Sequence, residues 1–354
     1  MTPGIEARAA GAMYGLAIGD ALGMPTQSLP RARIVELYGE LLDGLHPAPP
    51  DQPLAAGMPA GAVTDDTEQA LLLARLVVEG NGTVDAPELA RRLIAWEDDL
   101  RARGSLDLLG PSTKRALDEL LAGGDITRTG RYGTTNGAAM RIAPVGIATP
   151  SSDPALLLDR VVTASAPTHN TGLALSAAAA VAAAVSAGVD GATVPEAVAA
   201  AIDAASLAAS RGYWVAGADV ATRIAWSTSL TAPPSPTAGP AAAAAPDPAA
   251  AAAPDPAAVA VLVHDLVGTS LASQESVPAA FAVLSAFPDD PWLVVRLAAS
   301  LGGDTDTIAA IAGAVAGACH GIDAFPTDVR RTVAEVNDLD LESLARDLLE
   351  VRRG

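Results

Sequence analysis

Two short clusters of hard oxygen donors lie far apart in this chain. Thr64-Asp65-Asp66-Thr67-Glu68 precedes an apolar run from Gln69 to Val78, and Gly302-Gly303-Asp304-Thr305-Asp306-Thr307 precedes another from Ile308 to Cys319. Taken alone, each is first of all a helix start. Ser, Thr and Asp are the common N-caps, Asp65 with Glu68 has the spacing of a capping box, and Gly302-Gly303 with Asp304 makes a turn and a cap. Taken together, two Asp-rich helix starts can supply the bridging and terminal oxygens required by a pair of Mg²⁺ or Mn²⁺ ions about 3.5–4 Å apart. Zinc suits the sequence poorly, because its four histidines, His46, His169, His264 and His320, have no close His/Cys spacing.

Three further features invite chemistry. The small-residue loop Gly133-Thr134-Thr135-Asn136-Gly137 runs into Ala138-Ala139-Met140-Arg141 and a stop at Pro144. It is either an Asn-Gly turn or a helix start whose free N–H groups face an anion, a diphosphate above all. His169, between Thr168 and Asn170 ahead of an Ala-rich helix, is placed at the lip of a cleft, against the usual reading of a lone His as a surface or satisfied core residue. Cys319 has no adjacent base in sequence and reads as a packed helix residue.

The elements that must position these residues are helical. Helical periodicity runs through Gln69 to Glu79, Pro87 to Arg101, Gly172 to Ala187, Val194 to Ala209, Pro291 to Leu301 and Thr307 to Cys319, with no comparable set of alternating strand patterns. Gly80-Asn81-Gly82 and Gly123-Gly124 can take the positive φ that ends a helix. Half of the 354 residues are hydrophobic but only 3% are aromatic, and the large Ala share favours closely packed helices. The expected fold is all-α, a compact multi-helix bundle over residues 1–354. One stretch differs in kind: 231–258 is almost entirely Pro and Ala, with Pro-Asp-Pro at 246–248 and 254–256, and is expected to be a flexible surface insertion.

Composition narrows the partners. With 41 acidic against 22 basic residues and a net charge of −19, the field of the molecule repels a phosphate backbone, so nucleic acid is not expected. The apolar run from Leu173 to Val189 approaches membrane-span length, but its Ala content and its serines read as a buried helix, so no membrane is expected. One cysteine cannot form an internal disulfide, and the N-terminus has no basic segment followed by an apolar core, which points to the reducing cytoplasm.

Several of these motifs, in the same order, resemble the ADP-ribosylglycohydrolases: Gly15-Leu16-Ala17-Ile18-Gly19-Asp20-Ala21-Leu22-Gly23, then Thr64 to Thr67, Asn136 to Arg141, Thr168-His169 and Gly302 to Thr307. The resemblance implies a compact all-α fold with a binuclear Mg²⁺ or Mn²⁺ centre. In that centre Thr64, Asp65, Asp66, Asp304, Asp306 and Thr307 stand where the family places its metal ligands. It implies that Gly133, Thr134, Thr135, Asn136, Gly137, Met140 and His169 contact the distal part of the substrate. The mechanism expected from it is attack of a water on the anomeric carbon of a ribose, with Asp66 or Asp306 steering that water or accepting its proton. Two departures bear on substrate: Gln27 follows the first motif where several members carry Glu, and no acidic residue precedes Asn136. The expected reaction is release of ADP-ribose from a modified side chain such as arginine. The alternatives are hydrolysis of a smaller nucleoside or ribosyl compound, and a metal-stabilised binding or structural protein without turnover.

Overall fold

A computed structural model describes residues 3–102, 109–232 and 254–354. Among them helices dominate and no sheet forms; pairing of extended backbone is confined to three isolated bridges, Leu29 with Gly303, Thr135 with Ala272 and Thr171 with Tyr213. The fold is all-α, as the periodicity predicts.

The central pair is Ile5–Gly23 with Thr305–His320. These helices cross at backbone contact because small residues recur on the facing stripe. A Cβ added to Gly15 would lie 2.0 Å from the carbonyl oxygen of Gly313, and one added to Gly19 would lie 2.0 Å from that of Ala309. At Gly23 it would lie 2.4 Å from Cα of Asp306. The Gly-every-fourth pattern of the first motif is therefore a packing device: it lays the helix that carries Asp20 directly against the helix that carries Asp306. Arg8, itself buried, ties the far end by donating to the carbonyls of Gly188 at 3.1 Å and Ala318 at 3.2 Å. Those are terminal carbonyls of two helices, which favour a cation.

Gly172–Val189 is long and apolar enough to cross a membrane by length and composition, but 94% of it is buried inside the fold, where it packs against both central helices. Its alanines permit that approach, and Ser176 and Ser186 satisfy their hydroxyls on the carbonyls of Ala205 and Thr149. Most predicted helices agree with the observed ones to within two residues. Two differ by more: the helix of the first cluster spans Asp65–Glu79, four residues earlier than the apolar run suggests, so the acidic cluster is its first turn, and helix Pro291–Ala298 stops three residues before the predicted Leu301. The turn signals hold, with positive φ at Asn81, Gly82 and Gly123.

At the Pro/Ala stretch, helix Val220–Thr231 enters from one side and helix Pro256–Leu262 leaves on the other, its first turn capped by Asp255 accepting from Ala257 N–H at 3.2 Å. The remainder of the predicted insertion, 233–253, lies outside the described residues.

Candidate functional site

The two acidic clusters, 240 positions apart in sequence, meet at one cavity of about 260 Å³. Asp65, Asp66, Asp304, Asp306 and Thr307 line it, together with Gln27, Ser28 and Leu54, the stretch 109–111 and Thr113, and Thr135, Asn136, Gly137, Met140 and Leu271. Direct bonds bridge the clusters: Thr307 donates its hydroxyl to Asp66 Oδ2 at 3.2 Å. The third motif joins them through Asn136, whose Nδ2 donates to Asp304 Oδ2 at 2.5 Å and to Ser276 Oγ at 2.9 Å.

Local geometry explains the convergence. Gly302 and Gly303, at φ +89° and +80°, turn the chain into the second helix, and backbone bonds pin that turn from Ser28 N–H to Gly303 carbonyl at 2.7 Å and from Asp304 N–H to Thr269 carbonyl at 2.8 Å. The capping box expected of Asp65 and Glu68 does not form; Thr64 is the N-cap residue and makes no side-chain cap bond. The cap comes from another helix. Asp20, fully buried, accepts from the backbone N–H and hydroxyl of both Thr64 and Thr67. Glu68 is turned away and accepts from Trp96 Nε1. Asp304 likewise makes no cap bond, leaving its carboxylate to Asn136, Thr307 and the cavity.

The electrostatics are strained in one direction. Asp66 is 1% exposed, and its pKa stands well above the usual carboxylate range, chiefly through burial and then through the negative charges of Asp306, Asp65, Asp20 and Asp304. Burial pushes Asp304 up to about 6 although Asn136 and Thr307 bond to it, and pushes Asp20 up to about 6 although four donors hold it. Asp66 Oδ1 is buried with no hydrogen-bond partner among the described residues.

Such a site fits a hard divalent cation: an orphaned buried carboxylate oxygen, mutually repelling carboxylates, and a lining with hydroxyls but no His, Cys, Lys or Arg. Among the described residues no three His, Cys, Asp or Glu side chains already converge at ligand spacing. An ion here would thus use hydroxyl and water oxygens beside the carboxylates.

The remaining predicted residues fall into two groups. Thr135, Asn136, Gly137 and Met140 line the cavity, whereas Gly133 and Thr134 lie behind it: Gly133 packs against the backbone of Thr168 and His169, and Thr134 carbonyl accepts from Ser273 N–H. Thr64 is spent structurally, its hydroxyl proton on Asp20 Oδ1 at 2.7 Å. His169, anticipated at the lip of a cleft, is instead fully buried, and burial together with Arg141 holds its pKa well below the usual histidine range, so it is neutral.

His169 bridges Thr135 Oγ1, 3.0 Å from Nε2, and Thr168 Oγ1, 2.8 Å from Nδ1. Thr168 in turn accepts from Arg141 Nη2 at 2.7 Å, Arg141 Nη1 donates to Gln69 Oε1 at 3.2 Å, and Gln69 Nε2 donates to Asp65 Oδ2 at 2.8 Å. A buried polar chain therefore runs from the loop wall of the cavity to its acidic wall. Asp20, Gln69 and the linking role of Arg141 have no functional signature in the local sequence pattern used above. A lone Asp within the apolar run Ala12–Gly23 is the signal that marks Asp20.

The ADP-ribosylglycohydrolase family profile matches residues 1–354. The protein YegU of Escherichia coli (strain K12) is 32% identical over 346 residues, covering 98% of this chain and 97% of its own length. The ADP-ribosyl-[dinitrogen reductase] glycohydrolase of Rhodospirillum rubrum is 32% identical over 173 residues, 48% of this chain and 53% of that one. A solved structure described as an ADP-ribosylglycohydrolase-related protein complex superposes with a TM-score of 0.69 at 26% identity, covering 98% of both chains. With the fold, the motif order and these likenesses in agreement over the whole length, the chain belongs to the ADP-ribosylglycohydrolase family.

Proposed function

We propose that this chain is a metal-dependent hydrolase that releases ADP-ribose from a modified side chain, with Asp66 and Asp306 as its catalytic carboxylates. The observation that carries this reading is the buried, unpartnered Asp66 Oδ1 at the meeting point of the two acidic clusters. An acceptor oxygen held dry among like charges is costly unless a cation or a donor arrives with the ligand. Asp65, Asp66, Asp304, Asp306 and Thr307 would hold a pair of Mg²⁺ or Mn²⁺ ions, whereas Thr64, expected among the ligands, is committed to Asp20 and does not line the cavity. When bound, such a pair supplies Lewis-acid charge and orientation for ribose hydroxyls and water.

The chain's own residues divide the remaining work. Asp66 or Asp306 orients the attacking water and takes its proton as the bond to the anomeric carbon forms. Asn136 fixes Asp304 and, with Thr135, Gly137 and Met140, bounds the side of the cavity where the distal part of the substrate lies. The Rhodospirillum relative, named as acting on ADP-ribosyl-[dinitrogen reductase], supports a protein-linked substrate, and arginine is the acceptor first expected from the sequence.

A second reading, a smaller ribosyl compound, draws on the cavity itself. At about 260 Å³ with no basic lining residue it is smaller than the ~300–1,000 Å³ usual for drug-sized ligands. The test is release of ADP-ribose from arginine- and serine-linked ADP-ribosyl peptides by purified protein, with EDTA and then with Mg²⁺ or Mn²⁺ restored. Metal-dependent release supports the first reading. No release from either peptide, alongside hydrolysis of a nucleoside, supports the second and overturns the first.

A further inference from the structure

Arg141 is fully buried, and its two hydrogen-bond acceptors are neutral: Gln69 Oε1 at 3.2 Å and Thr168 Oγ1 at 2.7 Å. Burial lowers its pKa only to about 10, with the charge of Asp65 opposing that fall, so it is a cation at neutral pH. A buried cation is costly unless negative charge offsets it, and the offsetting charge here is the acidic wall of the cavity, one Gln69 side chain away.

A guanidinium only donates hydrogen bonds, and this gives the groups on either side of it a direction. On one side Gln69, itself fully buried, must turn Oε1 towards Arg141, which commits its Nε2 to Asp65 Oδ2 at 2.8 Å. With the amide reversed, donors would face donors. Asp65 lines the cavity, and this bond fixes how its carboxylate is turned.

On the other side Thr168 Oγ1 accepts from Arg141, so its own proton goes elsewhere. Nδ1 of His169 lies 2.8 Å away, whereas the Ser165 carbonyl lies 3.5 Å away, and the shorter contact takes the proton. The charge of Arg141, which His169 senses, also favours a lone pair over an N–H on that nitrogen. The neutral ring then carries its proton on Nε2 and donates to Thr135 Oγ1 at 3.0 Å. Thr135 lines the cavity, so its hydroxyl hydrogen is left to point there.

We infer that Arg141 is a positioning residue that sets the direction of every hydrogen bond along this polar chain, so that Gln69 donates to Asp65, His169 holds its proton on Nε2, and Thr135 presents a hydroxyl hydrogen to the cavity. One buried cation thus prepares both walls, an accepting carboxylate on the acidic side and a donating hydroxyl on the loop side. The direction of the polar chain stands apart from the reaction, whereas its effect on a bound cation rests on the proposed function.

The experiment reads both arms in the full-length protein, with each variant checked for folding by its melting temperature. Nitrogen NMR of the imidazoles separates an N–H nitrogen from a lone-pair nitrogen, and the His169 signal is assigned by its loss in His169→Ala. Calorimetric titration with Mn²⁺ reads the Asp65 arm. Wild type shows His169 as the Nε2–H tautomer. Arg141→Met frees Thr168 Oγ1 to accept from Nδ1–H, so the tautomer shifts towards Nδ1–H, and Mn²⁺ binds about 10–100-fold more weakly, the usual cost of losing a group that orients a metal ligand. Arg141→Lys, which still only donates, keeps the tautomer and recovers most of the affinity. Gln69→Leu, which removes one arm and leaves Arg141 in place, weakens Mn²⁺ without moving the tautomer, and with the wild-type spectrum it decides the matter if Arg141→Met does not fold. A wild-type Nδ1–H tautomer, an Mn²⁺ affinity unmoved by Gln69→Leu, or a folded Arg141→Met that keeps both tautomer and affinity overturns the inference and leaves the proposed function standing. A wild type that binds no Mn²⁺ overturns the proposed function, and the tautomers of wild type and Arg141→Lys then decide the inference alone.

Discussion

Asn136 Nδ2 donates to Asp304 Oδ2 at 2.5 Å across 168 positions of sequence. This one bond joins the small-residue loop to the second acidic cluster, and it holds down the pKa of a carboxylate that burial drives up to about 6. In Asn136→Ala the carboxylate loses that donor and its pKa rises further. Unfolding free energy is expected to fall by about 1.5–3 kcal/mol, the range for a bond to a charged group, and Mn²⁺ affinity at neutral pH to fall as well. Denaturant unfolding and calorimetric metal titration check the two effects.

Asp66 predicts an inverse relation between stability and function. Its folded-state pKa is raised, so the folded protein binds this proton more tightly than the unfolded chain does. The associated stability is full below the unfolded value of about 3.9 and is lost as pH rises towards the folded value. His169, whose pKa is lowered, gives the opposite slope near its unfolded value of about 6.5, so the Asp66 contribution is read as a difference. Metal-free Asp66→Asn is expected to gain stability over metal-free wild type as pH rises from about 5 to 8, by up to about 1.4 kcal/mol per pH unit. Melting curves of both proteins in chelator across that range test it; parallel curves would show that Asp66 is not held in the strained environment described.

The acidic clusters were legible in the sequence because Asp and Thr at two helix starts are conspicuous against apolar runs. What joins them was not. Asp20 caps a helix 44 positions away, a bond that no local spacing announces, and so the local capping box suggested by Asp65 and Glu68 does not form. Apolar periodicity starts the helix Asp65–Glu79 four residues late because its opening turn is polar, and such a periodicity cannot include residues that face a cavity. His169 could be read as a cleft or a core residue, since burial depends on Arg141 and Thr135, which reach it only in three dimensions.

The polar chain from Thr135 to Asp65 makes a coupling prediction. His169 touches Thr135 and is fully buried, so it acts on a ligand through that hydroxyl. Thr135→Val and His169→Ala should each weaken ADP-ribose binding, and the double variant should weaken it little more than either alone, with an interaction energy of about 0.5–3 kcal/mol. Additive losses in a calorimetric double-mutant cycle would separate the two residues.

The helix crossing that carries Asp20 is expected to tolerate no side chain. Gly15→Ala places Cβ against the Gly313 carbonyl, and a loss of roughly 1–3 kcal/mol or more is expected in denaturant unfolding. Gly44→Ala, where no atom lies within 4 Å, is the matched control and should change stability by no more than about 0.5 kcal/mol.

The most direct test of the central claim is turnover of an ADP-ribosyl peptide by wild type, Asp66→Asn and Asp306→Asn at the same free Mg²⁺ or Mn²⁺ concentration. The account predicts that each substitution lowers the rate of ADP-ribose release at least about a hundredfold while the protein stays folded. Full activity in both variants would contradict it.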